Sequence, residues 1–155
     1  MTQPTLLGQL APDFTLTAVT GGQTGLTSLS SYRGKYVVLV FFPVAFSPLC
    51  SEQLPEYSML QDDFLERGAA VLGISRDNPF SLRAWSERYG LELPLLSDMT
   101  LKVAQQYGVA LLDHGHSTRA VFVIDPEGRV IHEAHEASPE HYDIKPEQLL
   151  DLLPA

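Results

Sequence analysis

The chain alternates short, wholly apolar runs with stretches in which apolar positions recur every three or four residues. Residues 36–42 (Tyr-Val-Val-Leu-Val-Phe-Phe) form an unbroken apolar run, which predicts a central strand buried on both faces. Leu54, Tyr57, Leu60 and Phe64 follow at helical spacing and predict one helix, ended by Arg67-Gly68. Residues 69–74 predict a second buried strand. Asp77 or Asn78 then caps a helix with Pro79 in its first turn, Phe80, Trp85 and Tyr89 facing inward, and Gly90 as its stop. Residues 93–96 read as a short strand, about 100–107 as a helix stopped by Gly108, and 119–124 as another apolar strand. Asp125-Pro126-Glu127-Gly128 supplies turn chemistry and joins that strand to 129–135 as a hairpin. A last helix follows Pro146, and Gly21-Gly22 marks a turn in an N-terminal arm.

Strands separated by helices predict an α/β fold: a mixed, mostly parallel central sheet with helices on both faces and an N-terminal extension. The 155 residues suit a single domain, 1–155, able to bury one core without staples. With 45% hydrophobic and 19% charged residues, the composition excludes wholesale disorder. The net charge of −9 argues against nucleic acid and anionic lipid as partners. Residues 132–155 hold six acids against Lys145 alone and are expected to be exposed. The longest nearly apolar run, 36–46, is 11 residues and too short for a membrane span. The first basic residue is Arg33, so no export signal is visible, and a reducing, cytoplasmic setting is expected.

The single cysteine, Cys50, excludes an intrachain disulfide framework and any zinc site needing several thiolates. His114-x-His116 and His132-x-x-His135 are read as solvated rather than as metal ligands, because a spacing of three on a strand separates the rings. In open α/β sheets ligands collect at the carboxyl ends of strands. That rule points to Pro43-Val44-Ala45-Phe46-Ser47-Pro48-Leu49-Cys50, just after the first core strand. Ser47 reads as an N-cap, Pro48 as the first helical residue and Cys50 as the third, where free N–H groups favour a thiolate. Ionisation alone makes a poor catalyst. A free thiol with a pKa near ~8.5 is ~3% ionised at pH 7, so full ionisation gains at most ~30-fold. The accompanying loss of nucleophilicity returns about a tenth of that reactivity. Catalysis needs donors aimed at the reacting atoms. Arg119 is the candidate, because it opens a buried strand and a buried guanidinium calls for an anion.

These residues resemble the peroxiredoxin family. Pro43-x-x-x-Ser47-x-x-Cys50 is similar to its P-x-x-x-T/S-x-x-C signature, and residues 117–128 (Ser-Thr-Arg-Ala-Val-Phe-Val-Ile-Asp-Pro-Glu-Gly) to its active-site arginine segment. Leu10-Ala11-Pro12-Asp13-Phe14 and Leu93-Pro94-Leu95-Leu96-Ser97-Asp98 match as well, so the resemblance covers about 8–137. It implies a thioredoxin-like fold and thiol-dependent reduction of hydrogen peroxide and organic hydroperoxides without metal, haem or other cofactor. Carried over, Cys50 is the nucleophile that becomes a sulfenic acid, Ser47 hydrogen-bonds the peroxide, Arg119 polarises it, and Pro43 shields the sulfur. Gln53 stands where the family often has Glu, and Pro55 where one branch, the bacterioferritin-comigratory or Q type, often has a resolving cysteine. The chain thus looks most similar to a one-cysteine, alkyl hydroperoxide reductase E type. Its partners would be a hydroperoxide, an external low-molecular-weight thiol or a thioredoxin- or glutaredoxin-like reductant, and a second copy in a homodimer. Pro55 predicts a helix kink one to two turns past Cys50. A thiol–disulfide exchanger and a redox-sensing binding module are the competing readings. An exchanger needs neither Pro43 nor a buried Arg119, and a stopped-flow peroxide titration separates the peroxidase from both.

Overall fold

The computed structural model describes residues 5–154. An N-terminal hairpin comes first, β1 (Thr15–Thr20) and β2 (Gln23–Ser28). Its two-residue turn, Gly21-Gly22, has φ of 55° and 82°, the left-handed pair that matches the twist of tight hairpins and that glycine adopts without steric cost. β3 (Tyr36–Phe41), β4 (Ala69–Ser75) and β5 (Leu95–Ser97) form the parallel centre. A small ribbon, β6 (Ala110–Leu111) with β7 (His116–Ser117), precedes β8 (Ala120–Ile124) and β9 (Val130–His135). The main sheet has seven strands in the order β2-β1-β5-β4-β3-β8-β9.

The expectation of a mostly parallel sheet is corrected. Only β3–β4 and β4–β5 are parallel; β1–β2, β1–β5, β3–β8 and β8–β9 are antiparallel. Crossover helices force parallel pairing only where one helix returns the chain to the same end of the sheet. Between β5 and β8 the chain also passes through the β6–β7 ribbon, and β8 then runs against β3.

Period-2 alternation along β3 divides the core. Val38, Val40 and Phe42 pack with residues of α1 (Cys50–Met59), α2 (Gln61–Glu66), α3 (Pro79–Tyr89) and α5 (Pro146–Leu150). Val37, Leu39 and Phe41 pack with Val103 and Ala104 of α4 (Lys102–Gln106) and with Tyr107. Helices therefore cover both faces. No helix among the described residues is long and apolar enough to cross a membrane.

Several local expectations shift. The helix foreseen from Leu54 to Phe64 is two helices, α1 and α2, broken at Leu60 (φ −98°, ψ 7°). α1 runs through Pro55 and breaks later than the predicted kink, because a proline near the start of a helix removes only an early ladder bond. Asn78, not Asp77, caps α3, accepting from the Ser81 N–H at 2.9 Å. The buried stripe of α3 is Leu82, Trp85 and Ser86, so Phe80, two residues from Leu82, points outward and is 85% exposed. Tyr89 is also partly exposed, its ring meeting Trp85 edge-on. The acidic C-terminal stretch is not wholly exposed: Glu136, Tyr142, Leu149, Leu150 and Leu153 are buried. Glu136 accepts the backbone N–H groups of Asp143 (2.8 Å) and Ile144 (2.7 Å) and ties the segment down.

Candidate active site

The loop after β3 is shaped by its neighbours. The Ala45 N–H donates to Asp77 Oδ2 at 2.8 Å, and the Ser75 hydroxyl donates to the same oxygen at 2.7 Å. Phe46 is held at φ 69°, a left-handed conformation rare for a bulky residue. The expected side-chain cap is corrected. The Ser47 hydroxyl turns back to donate to the Val44 carbonyl at 2.8 Å, while the Ser47 carbonyl accepts from the Ser51 N–H at 3.0 Å. α1 therefore begins at Cys50, with Leu49 before it in helical conformation and no side-chain cap. Cys50 is in the first turn, two positions earlier than the third place expected for it.

Cys50 and Arg119 meet. Arg119 Nη1 donates to Cys50 Sγ at 3.2 Å and to Gln53 Oε1 at 2.6 Å, and Nη2 donates to the Pro139 carbonyl at 2.8 Å. Cys50, Gln53 and Arg119 are all buried. Nε of Arg119 has no partner, and no carboxylate lies within ion-pair distance of this guanidinium among the described residues. The protein partners of this buried cation are thus two neutral oxygens and the Cys50 sulfur.

Arg119 also lines a cavity of about 570 Å³, shared with Pro43, Val44, Ser47, Pro48 and Leu49 of the cysteine loop. The sequence-predicted Pro43, Ser47 and Arg119 thus share one cavity, and Arg119 links it to the buried sulfur. The opposite wall was not foreseen. It comprises His114 and His116, from the β6–β7 ribbon and its turn, and Ser138, Pro139 and Glu140 of the C-terminal segment. The histidines, expected to be solvated, stack with ring centres 5.6 Å apart and planes at 19°. The period-2 spacing of His114 and His116, a few residues before Arg119, was the available signal; nothing in the sequence marked residues 138–140. His132 and His135 lie on β9, outside the cavity lining. Among the described residues no three His, Cys, Asp or Glu side chains are grouped to hold a metal.

A thioredoxin-like α/β sheet carrying a buried cysteine–arginine pair at the head of a helix defines the class of this chain. The sequence model of the AhpC/TSA family matches residues 7–133. The chain is 42% identical to Peroxiredoxin-2 of Mus musculus over 129 residues, 79% of this chain and 65% of that protein. It is 35% identical to a thioredoxin peroxidase of Echinococcus granulosus over 130 residues, 79% of this chain and 67% of that one. The reduced 2-Cys peroxiredoxin of Plasmodium vivax superposes with a TM-score of 0.89 at 30% identity, covering 96% of this chain and 80% of the other. The chain belongs to the AhpC/TSA family, the peroxiredoxins. It spans about two thirds, 65%, of the length of the mouse relative.

Proposed function

We propose that the chain is a thiol-dependent peroxidase that reduces hydrogen peroxide and organic hydroperoxides as part of antioxidant defence. The observation that carries this reading is the 3.2 Å contact from Arg119 Nη1 to Cys50 Sγ, made by an arginine that lines the cavity. The Cys50 thiolate attacks one peroxide oxygen, the O–O bond breaks, and the departing oxygen leaves as water or alcohol after taking a proton. Cys50 is left as a sulfenic acid. Arg119 offers N–H donors to sulfur and peroxide together, so its stabilisation grows as charge moves onto the leaving oxygen. Gln53 holds Nη1 in place, Ser47 offers a hydroxyl at the cavity wall, and Pro43 keeps water from the sulfur.

Cys50 is the only cysteine in these 155 residues, so the resolving thiol comes from outside them. We take it to be a low-molecular-weight thiol or a thioredoxin- or glutaredoxin-like protein, acting in a reducing, cytoplasmic setting on a homodimer of the E-type, one-cysteine form. The name of one relative, a thioredoxin peroxidase, supports a thioredoxin-type reductant. Stopped-flow mixing with hydrogen peroxide tests the reading. Fast oxidation of Cys50 should collapse in Arg119→Ala and persist at a reduced rate in Gln53→Ala. After one equivalent of peroxide and added thiol, mass spectrometry should find a mixed disulfide on Cys50. A reaction as slow as that of a free thiol refutes it.

A further inference from the structure

The cavity beside Cys50 carries two imidazoles to which the reaction above gives no work. One of them has a defined proton arrangement. His116 Nδ1 lies 2.8 Å from the Ser117 carbonyl oxygen. A carbonyl oxygen only accepts, so Nδ1 carries the hydrogen, and in the neutral ring Nε2 is the basic nitrogen. The ring is held by this contact and by stacking on His114, and the backbone that carries it is fixed on both sides. His116 pairs with Leu111 across the β6–β7 ribbon, its ring stacks on His114, and the Ser117 hydroxyl after it donates to the Phe42 carbonyl at 3.2 Å, at the mouth of the cysteine loop. The other ionisable groups lining the cavity are His114, Arg119 and Glu140. A guanidinium is no base, and a carboxylate is a far weaker one than imidazole. His114 is exposed, with no hydrogen-bond partner fixing its tautomer among the described residues.

We propose that His116 Nε2 is the general base for the thiol that resolves oxidised Cys50, a role resting on the sulfenic acid of the preceding section. The incoming thiol gives its proton to Nε2 as its sulfur attacks Cys50 Sγ. The S–S bond forms and the S–O bond of the sulfenic acid breaks. The departing hydroxide takes the proton back from the imidazolium and leaves as water. The thiol sulfur is oxidised and the sulfenic sulfur reduced, so no further reductant enters this step, and a second thiol then frees Cys50 by exchange. A small alkanethiol is mostly protonated near neutral pH, and a base beside the sulfur removes that handicap.

The test compares a thiol that needs a base with one that does not. Protein oxidised with one equivalent of hydrogen peroxide is mixed at pH 7.5 with 2-mercaptoethanol, largely protonated there, or with 2-nitro-5-thiobenzoate, already a thiolate. Quenched-flow mass spectrometry follows the first and absorbance the second. The readout is the ratio of the two rate constants within each protein, so a general loss of folding cancels. In His116→Leu and His116→Gln the ratio of alkanethiol to thiolate rate should fall about 10-fold or more. A fall of less than about three-fold overturns the proposal, as does a larger fall in Glu140→Gln than in the His116 variants. If mass spectrometry of the wild-type protein finds no oxygen added to Cys50 after peroxide, no sulfenic acid has formed. The peroxidase reading then fails, and this inference with it.

Discussion

Replacing Arg119 with methionine separates chemistry from stability. Arg119 is 2% exposed, and among the described residues its guanidinium meets no carboxylate, only two neutral oxygens and the sulfur. Burying such a charge carries an effective penalty of several kcal/mol, and exchanging buried ionic groups for apolar ones of similar size is often neutral or stabilising by about 1–4 kcal/mol. Against that gain, the buried Gln53 Oε1 loses its donor, which costs about 1–3 kcal/mol. The two effects offset, so Arg119→Met should melt within about 6 °C of wild type, taking 2–4 °C per kcal/mol for a chain of this size. Adding Gln53→Leu removes the orphaned oxygen, and the double variant should melt at or above wild type. Activity behaves otherwise. Loss of a donor aimed at developing charge costs about 2.7–4 kcal/mol, or 10²–10³ in rate. Thermal melts give the first quantity. Stopped-flow fluorescence of Trp85, whose Nε1 donates to Ser51 Oγ at 3.0 Å beside Cys50, gives the second. A melting point more than about 10 °C lower in the double variant would make the guanidinium structural, and peroxide oxidation within tenfold of wild type would end its catalytic role.

Three further perturbations read other parts of the fold. A Cβ at Gly73 would sit 3.0 Å from Leu95, 3.2 Å from Phe42 and 3.3 Å from Leu54, so Gly73→Ala should destabilise by about 1–3 kcal/mol in a denaturant titration. Glu133 is partly desolvated, which opposes its charge. Hydrogen bonds from Thr5 and His135, with the Leu6 N–H, outweigh this and hold its carboxyl below the usual range. A depressed folded pKa contributes stability above the unfolded carboxyl value of about 4.3 and loses it as pH falls through the folded one. Melting temperature followed from pH 6 to 3 should therefore decline less steeply in Glu133→Gln than in wild type. Burial pushes the hydroxyls of Tyr57, Tyr107 and Tyr142 well above their ordinary range, with neighbouring carboxylates adding to the effect. Their neutral forms stabilise the fold fully below the unfolded value of about 10. That contribution is lost as pH rises beyond it. Urea midpoints should fall above pH 10, and Tyr107→Phe should reduce the slope.

What was legible in the sequence was whatever local pattern decides. The apolar run of β3 reports burial on two faces, and it is buried on both. Asn78-Pro79 and Gly90 bracket α3 because a cap, a fixed φ and a left-handed stop (φ 62°) are local requirements. Phe80 misled because hydrophobicity does not report which side of a helix faces the sheet; Leu82 and Trp85 settle that, and Phe80 is out of phase with them. The acidic tail misled for the opposite reason. Glu136 is buried since it satisfies two backbone N–H groups, a role composition does not reveal. The remaining cavity lining was harder to read: His116 comes in on the two-residue strand β7, marked only by its spacing from His114, and Glu140 on an irregular segment whose course no periodicity encodes.

The contact between Cys50 and Arg119 depends on the feature of the sheet that the sequence reading missed. Cys50 and Gln53 are three residues apart on α1 and so lie on one face, where a single guanidinium nitrogen reaches both. Their height is that of the carboxyl end of β3, from which the cysteine loop departs. Arg119 immediately precedes β8, and the register pairs Ala120 with Phe41, the last residue of β3. Because β8 is antiparallel, its beginning lies beside the end of β3, and Arg119 enters at the level of the loop. In a parallel strand the same residue would begin at the far end of the sheet, several strand residues at about 3.3 Å each from the sulfur, beyond the reach of any arginine. The antiparallel course of β8 is therefore the step in the topology that converts 69 residues of separation into a hydrogen bond.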